Sequence, residues 1–214
     1  MYDLEINIIK KIQAGDINAF EQIVEKYKNK ALTLALRILK NNEDAEDALQ
    51  EAFVKTFRAI VDKQFEERSK FSTYFYRIVY NTALDFYKKH KARNYNLLKI
   101  DQPARMGIDD EKILESFELD INKSGYEVSS AYITDKRTLD GEAHDIVNKF
   151  LEQIPEKYGA ILTLFYINDL SHEEIAETIK IPLGTVKNRI FRAKEKLKEV
   201  MLKKFKHEEI LELI

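Results

Sequence analysis

Residues 185–192, TVKNRIFR, set Thr185, Lys187, Asn188, Arg189, Phe191 and Arg192 around the start of a segment whose apolar residues Val186, Ile190, Ala193 and Leu197 recur at helical spacing. These residue types suit one chemistry. A guanidinium pairs with O6 and N7 of guanine through two parallel hydrogen bonds, and a carboxamide pairs with N6 and N7 of adenine. Lys194, Lys196 and Lys198 follow and suit phosphate contacts, which position a protein on a duplex without reading it. Phe191 lies on or near the polar side, where a sugar or a thymine methyl would meet it. Charge and periodicity alone also fit an ordinary amphipathic helix with a solvated basic face.

The residues just upstream narrow that choice. Ser171 followed by Glu174 has the spacing of a capping box that opens a short helix. Small Ala176 suits a close helix crossing, and Ile181-Pro182-Leu183-Gly184 reads as the turn into the last helix. A short helix, a turn and a polar-tipped second helix make a helix-turn-helix, whose second helix enters the major groove. Two further helices precede it, over 146–154 and around 161–165, the first stopped near Pro155.

The N-terminal part carries a different set of groups. Apolar stripes run through 20–38, 45–60 and 71–86, and three one-sided helices must bury those stripes on one another, giving a bundle over about 1–93. Asn42 or Asn41 can cap the second stripe, with Glu43, Asp44, Glu46 and Asp47 in its first turn. Residues 94–142 lack sustained periodicity and contain Pro103, Gly107, Gly125 and Gly141, the signature of a linker. Within it, 109–120 could form a short amphipathic helix. The expected fold is all-α: two small helical domains, 1–93 and 143–214, joined by a long acidic linker, the second ending in a short C-terminal extension.

Composition excludes several classes. The 214 residues include 44% hydrophobic and 34% charged side chains, with only six glycines and three prolines, which suits long helices rather than a turn-rich β fold. With no cysteine there is no disulfide or thiolate site, and the four histidines show no metal-ligand spacing. No P-loop, GxSxG or HExxH motif is present, so neither an enzyme nor a cofactor is expected. No stretch reaches the roughly 18 apolar residues of a membrane span, and the charged N-terminus has no signal-peptide core, so a soluble, cytoplasmic protein without membrane insertion is expected. The net charge of −2 conceals an uneven distribution: 17 basic against 14 acidic residues in 1–93, 6 against 11 in 94–142, and 12 of each beyond.

Taken together, these segments resemble the extracytoplasmic-function sigma factors of bacterial RNA polymerase. IPLGTVKNRIFRAKEKLK is similar to that family's −35 recognition helix, region 4.2, and IPEKYGAILTLFYINDLSHEEIAE to its region 4.1 and first helix-turn-helix helix. AGDINAFEQIVEKY resembles the opening helix of region 2, ILKNNEDAEDALQEAFVKTF region 2.2, and FEERSKFSTYFYRIVYNTALDFYKK regions 2.3 and 2.4. The matches cover about two thirds of the chain in the family's order, with no region 3 between them.

The resemblance implies a non-catalytic initiation factor whose partners are core RNA polymerase, through its β′ clamp helices and β flap, promoter DNA and an anti-sigma factor. It assigns Asp44, Asp47, Gln50, Glu51 and Phe53 to the polymerase. Phe65, Ser69, Phe71, Tyr74, Tyr76, Arg77, Asn81, Lys88 and Lys89 fall to the −10 element, with Lys91 and Arg93 beside them as backbone contacts. Thr185, Lys187, Asn188, Arg189, Phe191 and Arg192 fall to the −35 element. Phe71 shares a stripe with Phe75 and Ile78, so it and Tyr74 rank as structural before base-contacting. The sequence departs from the family where Tyr74 replaces a common Trp, where Lys88 and Lys89 stand for an Arg, and where Lys187 and Asn188 stand for Arg and Ser. A stand-alone helix-turn-helix regulator is the main alternative, and it would have no need of the acidic and aromatic segments over 44–81.

Overall fold

The computed structural model describes residues 2–98, 150–151 and 153–204. The linker and its 109–120 helix, the opening of the helix expected over 146–154, and the C-terminal extension lie outside the described residues. Helix α1 is Tyr2–Gln13, and a 3₁₀ turn, Ile17–Ala19, leads into α2, Phe20–Leu39. Then come α3, Asn42–Val61, and α4, Phe71–Leu98, which carries on past the boundary expected at 93. In the C-terminal part, α5 is Glu156–Leu162, a π turn spans Thr163–Ile167, α6 is His172–Ile179 and α7 is Leu183–Lys204. No strand occurs among the described residues.

Local chemistry sets these boundaries. Asn41, not Asn42, caps α3: its side chain accepts from the Asp44 N–H at 3.0 Å. Between α2 and α3 the chain turns through Lys40 in the left-handed region, φ 53°. Gly15, at φ +100°, performs the same service between α1 and the 3₁₀ turn, where a side chain would be strained. Both bonds of the capping box on α6 are present, the Glu174 N–H to Ser171 Oγ at 3.1 Å and the Ser171 N–H to Glu174 Oε2 at 2.7 Å. The turn that follows is 180–182; Leu183 and Gly184 already belong to α7, slightly earlier than the sequence suggests. Proline fits there because the first helical N–H groups have no intrahelical partner.

Helices α2, α3 and α4 form the expected bundle around an aromatic core. The Phe75 ring, wholly buried, lies 5.0 Å from Tyr27, 5.2 Å from Phe53 and 5.5 Å from Tyr76 between centroids. Helix α1, not expected from the sequence, closes the bundle with buried Ile6, Ile8, Ile9 and Ile12. Its buried Glu5 accepts from Lys26 Nζ at 2.6 Å and from the Tyr27 hydroxyl. Burial, then the bond to Glu5, pushes the Tyr27 hydroxyl well above the ordinary phenol range.

The two parts are packed together. Helix α5 and the π turn lie on α2, α6 lies on α4, and the buried apolar residues of both parts form one continuous cluster. Asn168, just after the π turn, is buried beside Tyr76, and its Nδ2 donates to the Lys30 carbonyl at 3.1 Å.

The cap of α6 can be tested at both of its residues. Ser171→Ala is expected to cost about 1 kcal/mol, seen as a lower urea midpoint with an unchanged slope. Partial burial works against ionisation of Glu174, but the Ser171 N–H, Lys70 and the Ser171 hydroxyl outweigh it and hold the carboxyl below its usual range. A depressed carboxyl contributes stability above its unfolded pKa and loses it as pH falls through the lower folded value. Glu174→Gln should therefore flatten the acid limb of the stability–pH curve measured by thermal unfolding, with wild type and variant converging at the acid end.

Candidate nucleic-acid interface

On α7 the solvent-facing stripe passes through Asn188, Phe191, Glu195 and Lys198, and the buried stripe through Val186, Arg189, Ile190, Ala193 and Leu197. Phe191 is 38% exposed, a large apolar ring held toward solvent. Thr185, Lys187 and Arg192 flank that stripe half-buried. Arg189 departs from its expected place on the reading face: it is only 8% exposed, because it stands one turn after Val186 on the same side of the helix. Lys194 also turns away from a pure phosphate role, its ammonium lying 5.2 Å from the Phe165 centroid and 5.5 Å from that of Tyr166.

The aromatic segment behaves differently at each position. Phe71 is wholly buried and Phe65 6% exposed, their centroids 5.6 Å apart, with Phe65 also 5.0 Å from Tyr74. Neither ring is displayed for stacking. Phe65 instead anchors the loop between α3 and α4, in which Lys63 and Glu67 adopt left-handed conformations and Ser69 is half-buried. Tyr76 is 2% exposed, covered from the C-terminal side by Asn168. Tyr74 is half-buried, with the Arg77 guanidinium 5.1 Å from its ring; burial raises its hydroxyl pKa, and Arg77 partly opposes the shift. Asn81 is exposed, Lys88 half-buried, and Lys89 exposed with its ammonium 5.5 Å from the Phe86 ring.

A cavity of about 450 Å³ joins Tyr74, Ile78 and Asn81 to residues not singled out from the sequence, among them Lys55, Arg58, Asp62, Gln64 and Thr82. Its size is within the roughly 300–1,000 Å³ of small-ligand pockets. An aromatic ring, amides and two cations around an open cleft, with the Asp62 carboxylate at its edge, can stack on a base and bond its polar edge. Lys55 is held there by Glu51 at 2.8 Å and by the Thr82 hydroxyl at 3.2 Å. Sequence gave no sign of the two cations because their place in the cleft depends on how the last turns of α3 border α4.

Toward the start of α3, Asp47 and Gln50 are exposed and Glu51 half-buried. The bond to Lys55 holds the Glu51 carboxyl below its usual range, against a small opposing effect of burial. Asp44 lies 3.0 Å from His90 on α4. Phe53 is half-buried against Phe20 and Phe75, so the apolar group displayed beside Gln50 and Glu51 is Val54, 49% exposed and not expected from the sequence.

No group of three or more metal-ligating side chains and no membrane-length apolar helix occurs among the described residues. Comparison with known proteins adds the family. Residues 23–93 match the family described as Sigma-70 region 2, and residues 144–197 the one described as Sigma-70, region 4. The chain is 32% identical over 199 residues to the ECF RNA polymerase sigma factor SigW of Bacillus subtilis, covering 89% of this chain and 93% of that protein. It is also 32% identical to the ECF RNA polymerase sigma-E factor of Escherichia coli K12, covering 88% and 89%. Among solved structures, CnrH in complex with the cytosolic domain of CnrY superposes with a TM-score of 0.56 at 18% identity, over 92% of this chain and 97% of that one. The sigma factor RpoE of Bartonella quintana, in complex with the anti-sigma factor NepR, gives 0.56 at 17%, over 88% and 100%. With both regions matched in order, and relatives this similar along nearly their whole length, the chain belongs to the sigma-70 family, as a member of its extracytoplasmic-function group.

Proposed function

We propose that this protein is a cytoplasmic, non-catalytic promoter-recognition subunit that docks on core RNA polymerase through α3, opens the −10 element with α4 and the loop before it, and reads the −35 element as duplex with α7. The observation that carries this reading is the division of the surface of α3, along its length, into two chemically distinct patches. The earlier one displays Asp47, Gln50, Glu51 and Val54, acids beside an apolar contact, which suits a basic helical partner. The later one joins α4 in the cleft of Tyr74, Asn81, Lys55 and Arg58, which suits an extruded base and its backbone. A regulator that only binds duplex DNA needs neither. On α7 the reading assigns base contacts to Asn188, Phe191 and Arg192, flanked by Thr185 and Lys187, and leaves buried Arg189 a positioning role. An anti-sigma factor, as is bound to RpoE of Bartonella quintana, is the expected antagonist.

Run-off transcription with purified core polymerase on a promoter library tests the proposal and reads the specificity together. Transcripts from a defined subset of templates are expected; duplex binding that is equally tight without polymerase, and no transcript, would overturn it in favour of a free-standing regulator. In the same assay, Asn81→Ala should lower transcription about tenfold, the loss of one good base contact, while leaving the affinity for core polymerase unchanged.

A further inference from the structure

Four polar side chains that line the cleft between α3 and α4 are uncommitted. Lys55 is engaged, by Glu51 at 2.8 Å and by the Thr82 hydroxyl at 3.2 Å. Arg58, Asp62, Gln64 and Asn81 are exposed, and no hydrogen bond or ion pair among the described residues engages their side chains. These four are not alike. Arg58 can only donate, the two amides can donate or accept, and Asp62, as a carboxylate, can only accept. Among the described lining residues, Asp62 is thus the one that demands a donor from whatever enters.

A carboxylate at this position works against both the helix and the strand. Asp62 is the C-cap of α3, so its negative charge stands at the negative end of the helix dipole. It also repels the phosphates that Lys55 and Arg58 attract. Neither the fold nor affinity for a backbone accounts for it; selection among bases does. Adenine, cytosine and guanine each carry an exocyclic amine, whereas thymine carries carbonyl oxygens. A carboxylate that approaches the ring N–H of thymine meets an oxygen on either side.

We propose that Asp62 is the specificity-determining residue of the cleft, accepting from the exocyclic amine of an extruded −10 base and rejecting thymine. This inference rests on the assignment of the cleft to that base and adds the class of base it takes. Tyr74 and Ile78 wall the space and small, buried Ala59 leaves it open, so shape admits any base and the polar edge decides. Arg58, one turn before Asp62 on the same side of α3, is placed to donate to the ring nitrogen or carbonyl beside the amine.

Asp62→Asn is isosteric and keeps the backbone bond of the cap, from the Asp62 N–H to the Arg58 carbonyl at 2.8 Å. Run-off transcription with core polymerase, on a library randomised over the −10 element, reads the base preference at each position. Wild type is expected to disfavour thymine about tenfold at one position, the discrimination of one good base contact. Asp62→Asn should accept thymine there and leave the other positions as they were. On single templates the effects should have opposite signs. The variant, whose carboxamide can donate to a carbonyl oxygen, should transcribe the thymine template better than wild type and the amine-bearing template worse. A residue with a purely structural role would lower both. A second arm uses a template pre-opened over the −10 element by mismatches, so that pairing energy does not enter. There the favoured base is replaced by an analogue lacking only its amine: 2-pyrimidinone for cytosine, purine for adenine or hypoxanthine for guanine. Wild type should lose about tenfold, again one base contact, and Asp62→Asn much less.

A base preference for Asp62→Asn equal to that of wild type at every −10 position would overturn the proposal, as would an analogue that costs both proteins alike. Asn81→Ala on the same pre-opened template separates this inference from the assignment beneath it. If that variant transcribes as well as wild type, the cleft does not hold the base, and the assignment falls together with the inference. If Asn81→Ala loses activity while Asp62→Asn keeps the wild-type preference, the assignment stands and only the role of Asp62 is lost.

Discussion

Arg192→Ala is expected to lower transcription from promoters that depend on their −35 element by about tenfold to a hundredfold, the 1–3 kcal/mol of one bidentate base contact. Affinity for core polymerase should not change. The expectation follows from position: Arg192 flanks the solvent-facing stripe of α7, next to exposed Phe191 and away from the buried stripe. Arg189→Ala should behave differently, since a buried side chain acts through the packing of α7 and its loss would appear first as a lower melting temperature. Run-off yields from paired templates, with and without the −35 sequence, separate the two. Equal losses on both templates for Arg192→Ala would move the residue out of the reading face.

Phe75→Ala is expected to cost about 3–5 kcal/mol, the usual range for truncating a fully buried phenylalanine. Its ring touches Tyr27 on α2, Phe53 on α3 and Tyr76 on its own helix, so the cavity would open where three helices meet. For a chain of this size that corresponds to a fall in melting temperature of roughly 6–20 °C, measurable by scanning calorimetry. Because Tyr74, Arg77 and Asn81 share that helix, −10 opening should fall with it. Duplex binding by α7 should be lost only at temperatures where the chain unfolds, and a variant as stable as wild type would refute this account of the core.

How far the sequence announces this arrangement varies by element. The stripes of α2, α3 and α4 are legible because each helix buries one face along its length, and the capping box of α6 because two residue types at fixed spacing suffice to form it. Helix α1 is hard to see because charges interrupt its short isoleucine pattern, and its buried Glu5 finds its partners in Lys26 and Tyr27, more than twenty residues away. The chemistry of single side chains is harder to read than the helices. Arg189 looks like a reader by type and is buried by phase; Phe65 looks like a stacking surface and is core, whereas Phe71 is core as its stripe with Phe75 and Ile78 suggests. Lys55, Arg58 and Val54 carry no signal of their own because their roles depend on which neighbour α3 faces at each position. The packing of the two parts is illegible altogether, since contacts such as Lys30 to Asp169 join residues 139 positions apart and leave no periodic trace.

The most direct test of the central claim is permanganate reactivity of thymines in the −10 region of a template selected by run-off transcription, in the presence of core polymerase and the full chain. Wild type should render those thymines reactive, with the signal lost when Arg77 and Asn81 are both replaced by alanine while polymerase remains bound. A stable complex of chain, polymerase and promoter in which the −10 thymines stay unreactive with the wild type would contradict the account.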